Sequence, residues 1–380
     1  MKKLVVFTPA FGTLSETFIK RHVEDLAPGQ TVVVCLEKLQ DNPGKWDENI
    51  PVFSINDYNS RKMNLAEKVG KSLSKKLTGN KISNHQDIAI KNFLGEHKVN
   101  VALGEYLGFS LRFLDILNEL DIPFYAHGHG YDVSAHLRLQ NTVKRYQKLN
   151  TIHGVITMSE YSRRKLADSG LNREKIHVIH YGVMDPGPFE RRDPGGTIRL
   201  LSVGRMVNKK APVLLLDAFR RASERIQGIR LDYIGGGPLQ NAAWQYVKAF
   251  GLEDKVRLHG AIPNEKINSF FKNSDIFIQH SIECPETGDS EGLPVVILEA
   301  MSYGLPVIST RHAGIPEEIT DGQNGFLVDE LDTAGMALKI EMLATDTKKR
   351  YEMGQKSREI FQEKFTWNIN KDLINSLLKI

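Results

Sequence analysis

Alternation constrains this chain more than any other feature. Short apolar runs are separated by longer stretches whose apolar residues recur at helical spacing. In the first half, Leu4–Phe7, Thr31–Leu36, Val101–Leu103, Pro123–Ala126, Gly154–Thr157 and His177–Ile179 predict strands. Ser15–Leu26 predicts a helix, with Ser15, Glu16 and Thr17 suited to its start. The second half repeats the scheme more cleanly. Ile198–Val203, Leu231–Ile234, Val256–Leu258, Ile276–Gln279, Val307–Ser309 and Phe326–Val328 predict strands, with helices at Val213–Arg225 and Leu239–Phe250. Such β–α alternation calls for mostly parallel sheets covered on both faces.

Between the halves, Met184–Gly196 carries Pro186, Gly187, Pro188, Pro194, Gly195 and Gly196. So many chain breakers suit an interdomain linker better than the interior of a domain. The expected domains are therefore 1–184 and 185–365. The tail, 366–380, reads as a further helix returning to the first, with Leu373, Ile374, Leu377 and Leu378 on an apolar stripe. A length of 380 residues accommodates two such domains.

Composition narrows the class. A hydrophobic share of 41% with 25% charged residues fits a globular protein and excludes a mainly disordered chain. Fifty basic against 46 acidic residues leave a net charge of +4, too small an excess for a nucleic-acid binder. Two distant cysteines, Cys35 and Cys284, argue against a disulfide framework or a thiolate zinc site and for a reducing compartment. The apolar stretch of Met1–Phe7 is too short for a signal peptide, and no run approaches the length of a membrane span. The expected location is cytoplasmic.

Parallel sheets bind ligands beyond the carboxyl ends of their strands, so those positions carry the candidate site. After Ile198–Val203 come Gly204-Arg205 and then Asn208-Lys209-Lys210. Two cations there suit a diphosphate, the guanidinium as a fork and the lysine as a point charge; a solvated basic loop is the alternative. After Leu231–Ile234, Gly235-Gly236-Gly237-Pro238 reads as a turn that lets the backbone approach something closely, with Pro238 opening the next helix. It is not the dinucleotide fingerprint, because Gln240 stands at the last glycine position, which disfavours a nicotinamide dehydrogenase. Gly70-Lys71-Ser72 lacks the rest of a Walker A loop.

The most specific string is Gly288-Asp289-Ser290-Glu291-Gly292-Leu293-Pro294, running into a helix at Val295–Ser302. Pro294 suits the first helical position and Gly304 the far cap. Free amides at Gly292 and Leu293 would attract phosphate. Glu291 and Glu299 could accept hydroxyls from two parts of one extended ligand. In the first half, His127-Gly128-His129-Gly130-Tyr131-Asp132 exposes His129 between glycines, and Asp132 could orient an imidazole or bind a polar substrate group. The His-x-His pair could ligate a metal, but no carboxylate or cysteine cluster nearby completes a shell. Gly12, before the first helix, is a further candidate for phosphate approach. No D-x-D motif occurs, so no metal is expected.

Taken together, Gly204-Arg205 with Lys210, Gly235–Pro238, His259-Gly260-Ala261-Ile262-Pro263 and Glu291-x7-Glu299-Ala300-Met301 resemble the retaining glycosyltransferases of family four. Leu14–Ile19 and His129–Asp132 resemble the exopolysaccharide branch, including colanic-acid-type enzymes. The resemblance covers nearly the whole chain and is densest from about 200 to 330. It implies an α/β, GT-B fold: two Rossmann-like domains facing each other across a cleft that holds the active site. It also implies roles. Arg205 and Lys210 would hold the donor diphosphate and stabilise the leaving group. Glu291, with the amides of Gly292 and Leu293, would bind donor-sugar hydroxyls. Glu299 would bind the ribose, Ile262 would lie by the base, Val295 would belong to the donor site, and Gly12 would approach the phosphates. His129 would contact the sugar near the reacting carbon, with His127 as the second choice. The chain departs from the family where Ala211 replaces the usual glycine after the lysine.

The implied activity is metal-free transfer from a UDP- or GDP-sugar to a glycan or polyprenyl-linked acceptor in bacterial surface polysaccharide synthesis, with no bound cofactor. Arg61–Lys98 carries nine basic residues against Glu67, Asp87 and Glu96, and Leu65, Val69, Leu73 and Leu77 share one helical face. This basic amphipathic helix either lies on an anionic membrane surface or packs on the domain with its lysines solvated. Two rival readings are a nucleotide-sugar 2-epimerase of the same fold and a non-catalytic sugar-binding protein.

Overall fold

The computed structural model describes residues 2–14, 16–62, 84–188 and 196–380. Two compact units emerge. The first comprises Met1–Thr157, Arg163–Ile179 and Lys371–Ile380; the second comprises Met158–Ser162 and His180–Asn370.

The first unit is built on seven parallel strands: β1 (Leu4–Phe11), β2 (Thr31–Lys38), β3 (Val52–Ser54), β4 (Val101–Glu105), β5 (Phe124–His127), β6 (Gly154–Thr157) and β7 (Ile176–Val178). Their order is β3-β2-β1-β4-β5-β6-β7. The apolar runs form central strands because both faces are buried: Leu4, Val5, Val6 and Phe7 have no exposed surface, and Phe7 stacks on Phe113. β1 runs on through Pro9, beyond the expected Phe7. Past Phe7 it pairs only with β2, so the donor missing at Pro9 is lost from an unpaired side. β3 was not anticipated; three residues are too few to show periodicity.

The second unit has β8 (Ile198–Val203), β9 (Ile229–Ile234), β10 (Val256–Gly260), β11 (Ile276–Ile278), β12 (Val307–Thr310) and β13 (Gly325–Val328), in the order β10-β9-β8-β11-β12-β13. Its core includes Leu200, Leu216, Phe219, Leu231, Tyr233, Ile276, Ile278 and Ile340. Counted within each unit, both orders begin 3-2-1-4-5-6, that of doubly wound nucleotide-binding sheets, and the first unit adds a seventh strand beside the sixth. The order reverses between β1 and β4 in the first unit and between β8 and β11 in the second. Those two switch points are where ligands bind in such sheets.

Local details differ from the sequence reading. Pro294 is the N-cap of helix Val295–Ser302, one position earlier than expected. Pro238 lies in a turn two residues before helix Gln240–Ala249. In the tail helix, Trp367–Leu378, Ile374 and Leu378 are buried but Leu373 is exposed, so the apolar stripe is narrower than the sequence suggested. Asn375 donates to the Leu26 carbonyl within the first unit. No helix among the described residues is long and apolar enough to cross a membrane. The basic stretch centred on Leu65–Leu77, and with it Gly70-Lys71-Ser72, lies outside the described residues.

Candidate functional site

At the carboxyl edge of the second sheet, backbone hydrogen bonds stitch three loops together. Gly204 N–H donates to Ile234 O, Met206 N–H to Gly236 O and Gly235 N–H to Gly260 O. The triple glycine exists for this packing. Gly235 has φ +132°, and a Cβ there would lie 2.0 Å from Gly204 O; Gly237 has φ +149° and its Cβ would lie 2.6 Å from Met206 O. What the turn approaches closely is therefore the Gly204–Met206 loop itself. Arg205 projects from that loop, exposed, with no carboxylate at ion-pair distance among the described residues. Ile262, in the loop after β10, is half-buried. His259 is engaged elsewhere, its Nε2 2.6 Å from Asp232 Oδ1.

Lys209 and Lys210 sit on a short 3-10 turn, Asn208–Lys210. They clip the loop that follows β11. Lys209 Nζ donates to Asp289 Oδ1 at 3.0 Å and to the Ser290 carbonyl at 3.3 Å. Lys210 Nζ lies 3.2 Å from Glu291 Oε1. Glu291 is only 7% exposed. Burial alone would raise its carboxyl, but Lys210 and then Lys209 outweigh it and hold the group ionised, below the usual carboxylate range.

The backbone of Glu291 is fixed as well. Its N–H donates to His312 Nε2 at 3.1 Å, so the His312 proton sits on Nδ1 and meets Glu330 Oε1 at 2.7 Å. Gly292 packs tightly: a Cβ would lie 2.8 Å from Met158 Sδ, and Gly314 approaches its carbonyl so closely that a Cβ there would lie 2.1 Å from Gly292 O. The amides of Gly292 and Leu293 make no hydrogen bond among the described residues, which leaves them as donors for an anion. In helix Val295–Ser302, Ile297, Leu298, Ala300 and Met301 face the core, while Val295 and Glu299, four positions apart, are half-buried on another face. Arg205, Lys210, Glu291 and Glu299 thus all belong to the loops and helix at the β8/β11 switch point.

Glu318 adds a buried titratable group the sequence did not reveal. It is 1% exposed and neither carboxyl oxygen is hydrogen-bonded among the described residues. Burial pushes its carboxyl well up; Lys210 opposes this, and Glu291 and Glu317 reinforce it.

In the first unit, Gly12 follows β1 with φ +97° and is buried against Asn42, where a Cβ would lie 3.0 Å from Oδ1. The two histidines end up in different settings. His127 is wholly buried, and burial holds its imidazole neutral, well below its ordinary range. His129 keeps 4% of its surface. Asp132 does not orient either ring. Its Oδ2 accepts the N–H of Leu107 and of His129, and its Oδ1 accepts the Tyr146 hydroxyl, so it shapes the loop backbone. The residue that meets the rings is Glu105, which ends β4. Its Oε2 lies 2.8 Å from His129 Nε2 and its Oε1 lies 2.7 Å from His22 Nδ1. The expectation that no carboxylate or cysteine cluster nearby completes a shell is corrected in one respect: Glu105 joins His127 and His22, with three ligand-type atoms within 4.8 Å of one another.

Sequence reasoning missed Glu105, His22, His312, Glu330 and Glu318. One signal was available. Glu105 closes the apolar run Val101-Ala102-Leu103-Gly104 at a strand's carboxyl end, the same kind of position that Arg205 holds after β8.

Residues 188–360 match the model of the family Glycosyl transferases group 1. The chain is 30% identical over 256 residues to WcaL of Escherichia coli (strain K12), a protein assigned to colanic acid biosynthesis as a glycosyltransferase; the match covers 66% of this chain and 62% of WcaL. It is 33% identical over 235 residues to the amylovoran biosynthesis glycosyltransferase AmsK of Erwinia amylovora, covering 61% of this chain and 56% of AmsK. The matches thus span less than two thirds of either relative's length. Among solved structures, the Anabaena protein Alr3699/HepE in complex with UDP superposes over the full length of both chains with a TM-score of 0.78 at 17% identity. That likeness speaks for the fold: two parallel α/β sheets of seven and six strands, of the GT-B type. The segment 188–360, which contains Arg205, Lys210, Glu291 and Glu299, is thus the part of the chain that matches the group 1 glycosyl transferases.

Proposed function

We propose that this protein is a retaining, metal-independent hexosyltransferase. It would move a sugar from a nucleotide-diphosphate sugar, a UDP- or GDP-sugar, to a glycan or polyprenyl-linked acceptor in bacterial surface polysaccharide synthesis. One observation carries the reading: the Lys210–Glu291 pair joins the loops that follow β8 and β11, and the first of these loops also carries exposed Arg205. A diphosphate needs cations, and a sugar needs a carboxylate that stays ionised; both are held there. The names of WcaL and AmsK support a polysaccharide product, and the UDP in the HepE complex supports a nucleotide donor.

In this reading Arg205 and Lys210 neutralise the charge that grows on the nucleoside diphosphate as the bond to the sugar's anomeric carbon breaks. Glu291 and the amides of Gly292 and Leu293 hold sugar hydroxyls. Glu299 takes the ribose, and Ile262 and Val295 line the nucleotide. His129 contacts the sugar near the reacting carbon, while buried His127 supports it and Asp132 sets the loop. Gly12 lets backbone approach the phosphates. The acceptor hydroxyl attacks the face from which the diphosphate leaves, and passes its proton to that leaving group. Glu291 is an orienting acceptor and not a nucleophile, so the two-carboxylate scheme of glycosidases does not apply. The enzyme works in the cytoplasm, peripherally at the membrane where a lipid-linked acceptor sits.

The test is thermal unfolding with UDP-glucose, UDP-galactose, UDP-N-acetylglucosamine and GDP-mannose, each with and without EDTA. A donor that binds only the native state raises Tm. Arg205→Ala, Lys210→Ala and Glu291→Ala should each abolish that rise and strongly lower transfer. Normal turnover in all three variants would sink the assignment. Isomerised nucleotide sugar formed without acceptor would identify an epimerase instead.

A further inference from the structure

Glu105 has no exposed surface, yet nothing about β4 requires a carboxylate there. A buried carboxylate is tolerated only when charge and hydrogen bonds compensate it. Its neighbours supply both. His22 Nδ1 lies 2.7 Å from one oxygen and His129 Nε2 2.8 Å from the other, and His127 Nδ1 stands 3.6 Å from the second oxygen. Glu105 is held ionised, below the usual carboxylate range: burial opposes this, and His22 and the hydrogen bond from His129 outweigh it. An ionised carboxylate only accepts hydrogen bonds. Each short contact therefore fixes a proton: His22 carries one on Nδ1 and His129 carries one on Nε2.

The rings are clamped as well. His129 packs against Phe18, Tyr106 and His127, with ring centroids 4.8, 4.6 and 4.5 Å away. Tyr106 is itself held by its hydroxyl, which donates to Glu16 Oε1 at 2.6 Å. The groups facing Glu105 thus come from the first helix (His22), from β5 (His127) and from the loop beyond it (His129).

We propose that Glu105 is a positioning residue for His129, fixing the ring and placing its proton on Nε2, with His22 as the second donor that completes the carboxylate's hydrogen bonding. This rests on the reading above in which His129 meets the donor sugar. It resembles in logic the carboxylate that sets the tautomer of a catalytic histidine in acyl transfer.

The substrate-free test is 15N NMR of the full-length protein with labelled histidine. The expected result is a protonated Nε2 on His129 and a protonated Nδ1 on His22. A bare Nε2 on His129 would overturn the proposal, whatever any variant does. So would stoichiometric zinc in the purified protein, because an ion among His22, Glu105 and His127 would displace the His22 proton. Glu105→Gln sharpens the test. Its amide can accept from one ring but must donate to the other, so one of the two rings has to move its proton. Unchanged imidazole signals in a folded Glu105→Gln protein would count against the proposal. With the donor found by thermal shift, Glu105→Gln should lower kcat on the order of 10²-fold while donor KM stays within about twofold. An unchanged kcat would also overturn it. Full transfer by His129→Ala, with the NMR result intact, would refute the role of His129 and leave the Glu105 clamp standing.

Discussion

Lys210 Nζ stands 3.2 Å from Glu291 Oε1, so the cation assigned to the donor diphosphate already has a carboxylate partner. Side-chain exposures of 14% and 9% place the pair largely out of water. A donor would compete for Lys210, and Glu291 would then satisfy its charge with sugar hydroxyls. Removing the lysine without a donor leaves a buried carboxylate uncompensated. Lys210→Ala should therefore cost about 3 kcal/mol of stability, measured by denaturant unfolding, while Glu291→Gln costs less. The pH dependence has a definite sign. Glu291 is depressed below its ordinary value of 4.5, so its contribution is present above that pH and lost as pH falls below it. Lys210→Ala should flatten that acid-side loss. Equal stability of Lys210→Ala and wild type would show that the pair carries no energetic weight.

Glu318 predicts the opposite slope. Its carboxyl is raised well above the ordinary 4.5 by burial, and ionises late in the folded protein but near that value in the unfolded chain. Between those points the native state binds more protons, so stability falls as pH rises. The slope is at most about 1.4 kcal/mol per pH unit. Glu318→Gln cannot ionise. The stability of the variant relative to wild type should therefore climb from pH 4.5 upward, whatever constant offset its buried amide introduces. A difference that is flat with pH would mean Glu318 ionises normally.

What the sequence made legible was chain-local. Gly204-Arg205, Gly235–Pro238 and Glu291-x7-Glu299 each follow a strand, and strand ends in parallel sheets are where ligands bind. The supports of those residues were not legible, because they are long-range pairs. Lys209 meets Asp289 and Lys210 meets Glu291 across about 80 residues, and His22 meets Glu105 across 83. His312 and Glu330 hold the Glu291 backbone only because β12 and β13 end side by side. Asp132 misled for the same reason. Its place next to the histidines in sequence suggested a ring contact, but its carboxylate turns to backbone amides. β3 was too short to show a period, and Leu373 belonged to an apolar pattern that the buried face of its helix does not use.

Gly235 tests whether the triple glycine serves packing or the ligand directly. At φ +132° with a Cβ only 2.0 Å from Gly204 O, alanine would force the β8 and β9 loops apart. Gly235→Ala should destabilise the protein by more than about 2 kcal/mol and weaken donor protection together. Gly236 has no such φ, and its Cβ would meet nothing closer than the Gln240 side chain at 3.1 Å. Gly236→Ala should therefore leave the fold intact, and any loss of donor binding there would report on the ligand alone.

Ala211 is the residue at which the chain departs from the family pattern, and its backbone explains what the usual glycine does. It adopts φ 38° and ψ 54°, the left-handed region, between the 3-10 turn that carries Lys210 and the helix Pro212–Arg225. An L-residue with a Cβ is held there at a cost of about 1–2 kcal/mol, which glycine avoids. Glycine gives back part of that gain through a more flexible unfolded chain. Ala211→Gly should therefore raise stability by about 0.5–1 kcal/mol, with donor affinity preserved because Lys210 keeps the same turn. Differential scanning calorimetry together with donor thermal shift would check both parts. A stability loss would mean that the Ala211 methyl group, only 6% exposed, contributes more by packing than its backbone costs in strain.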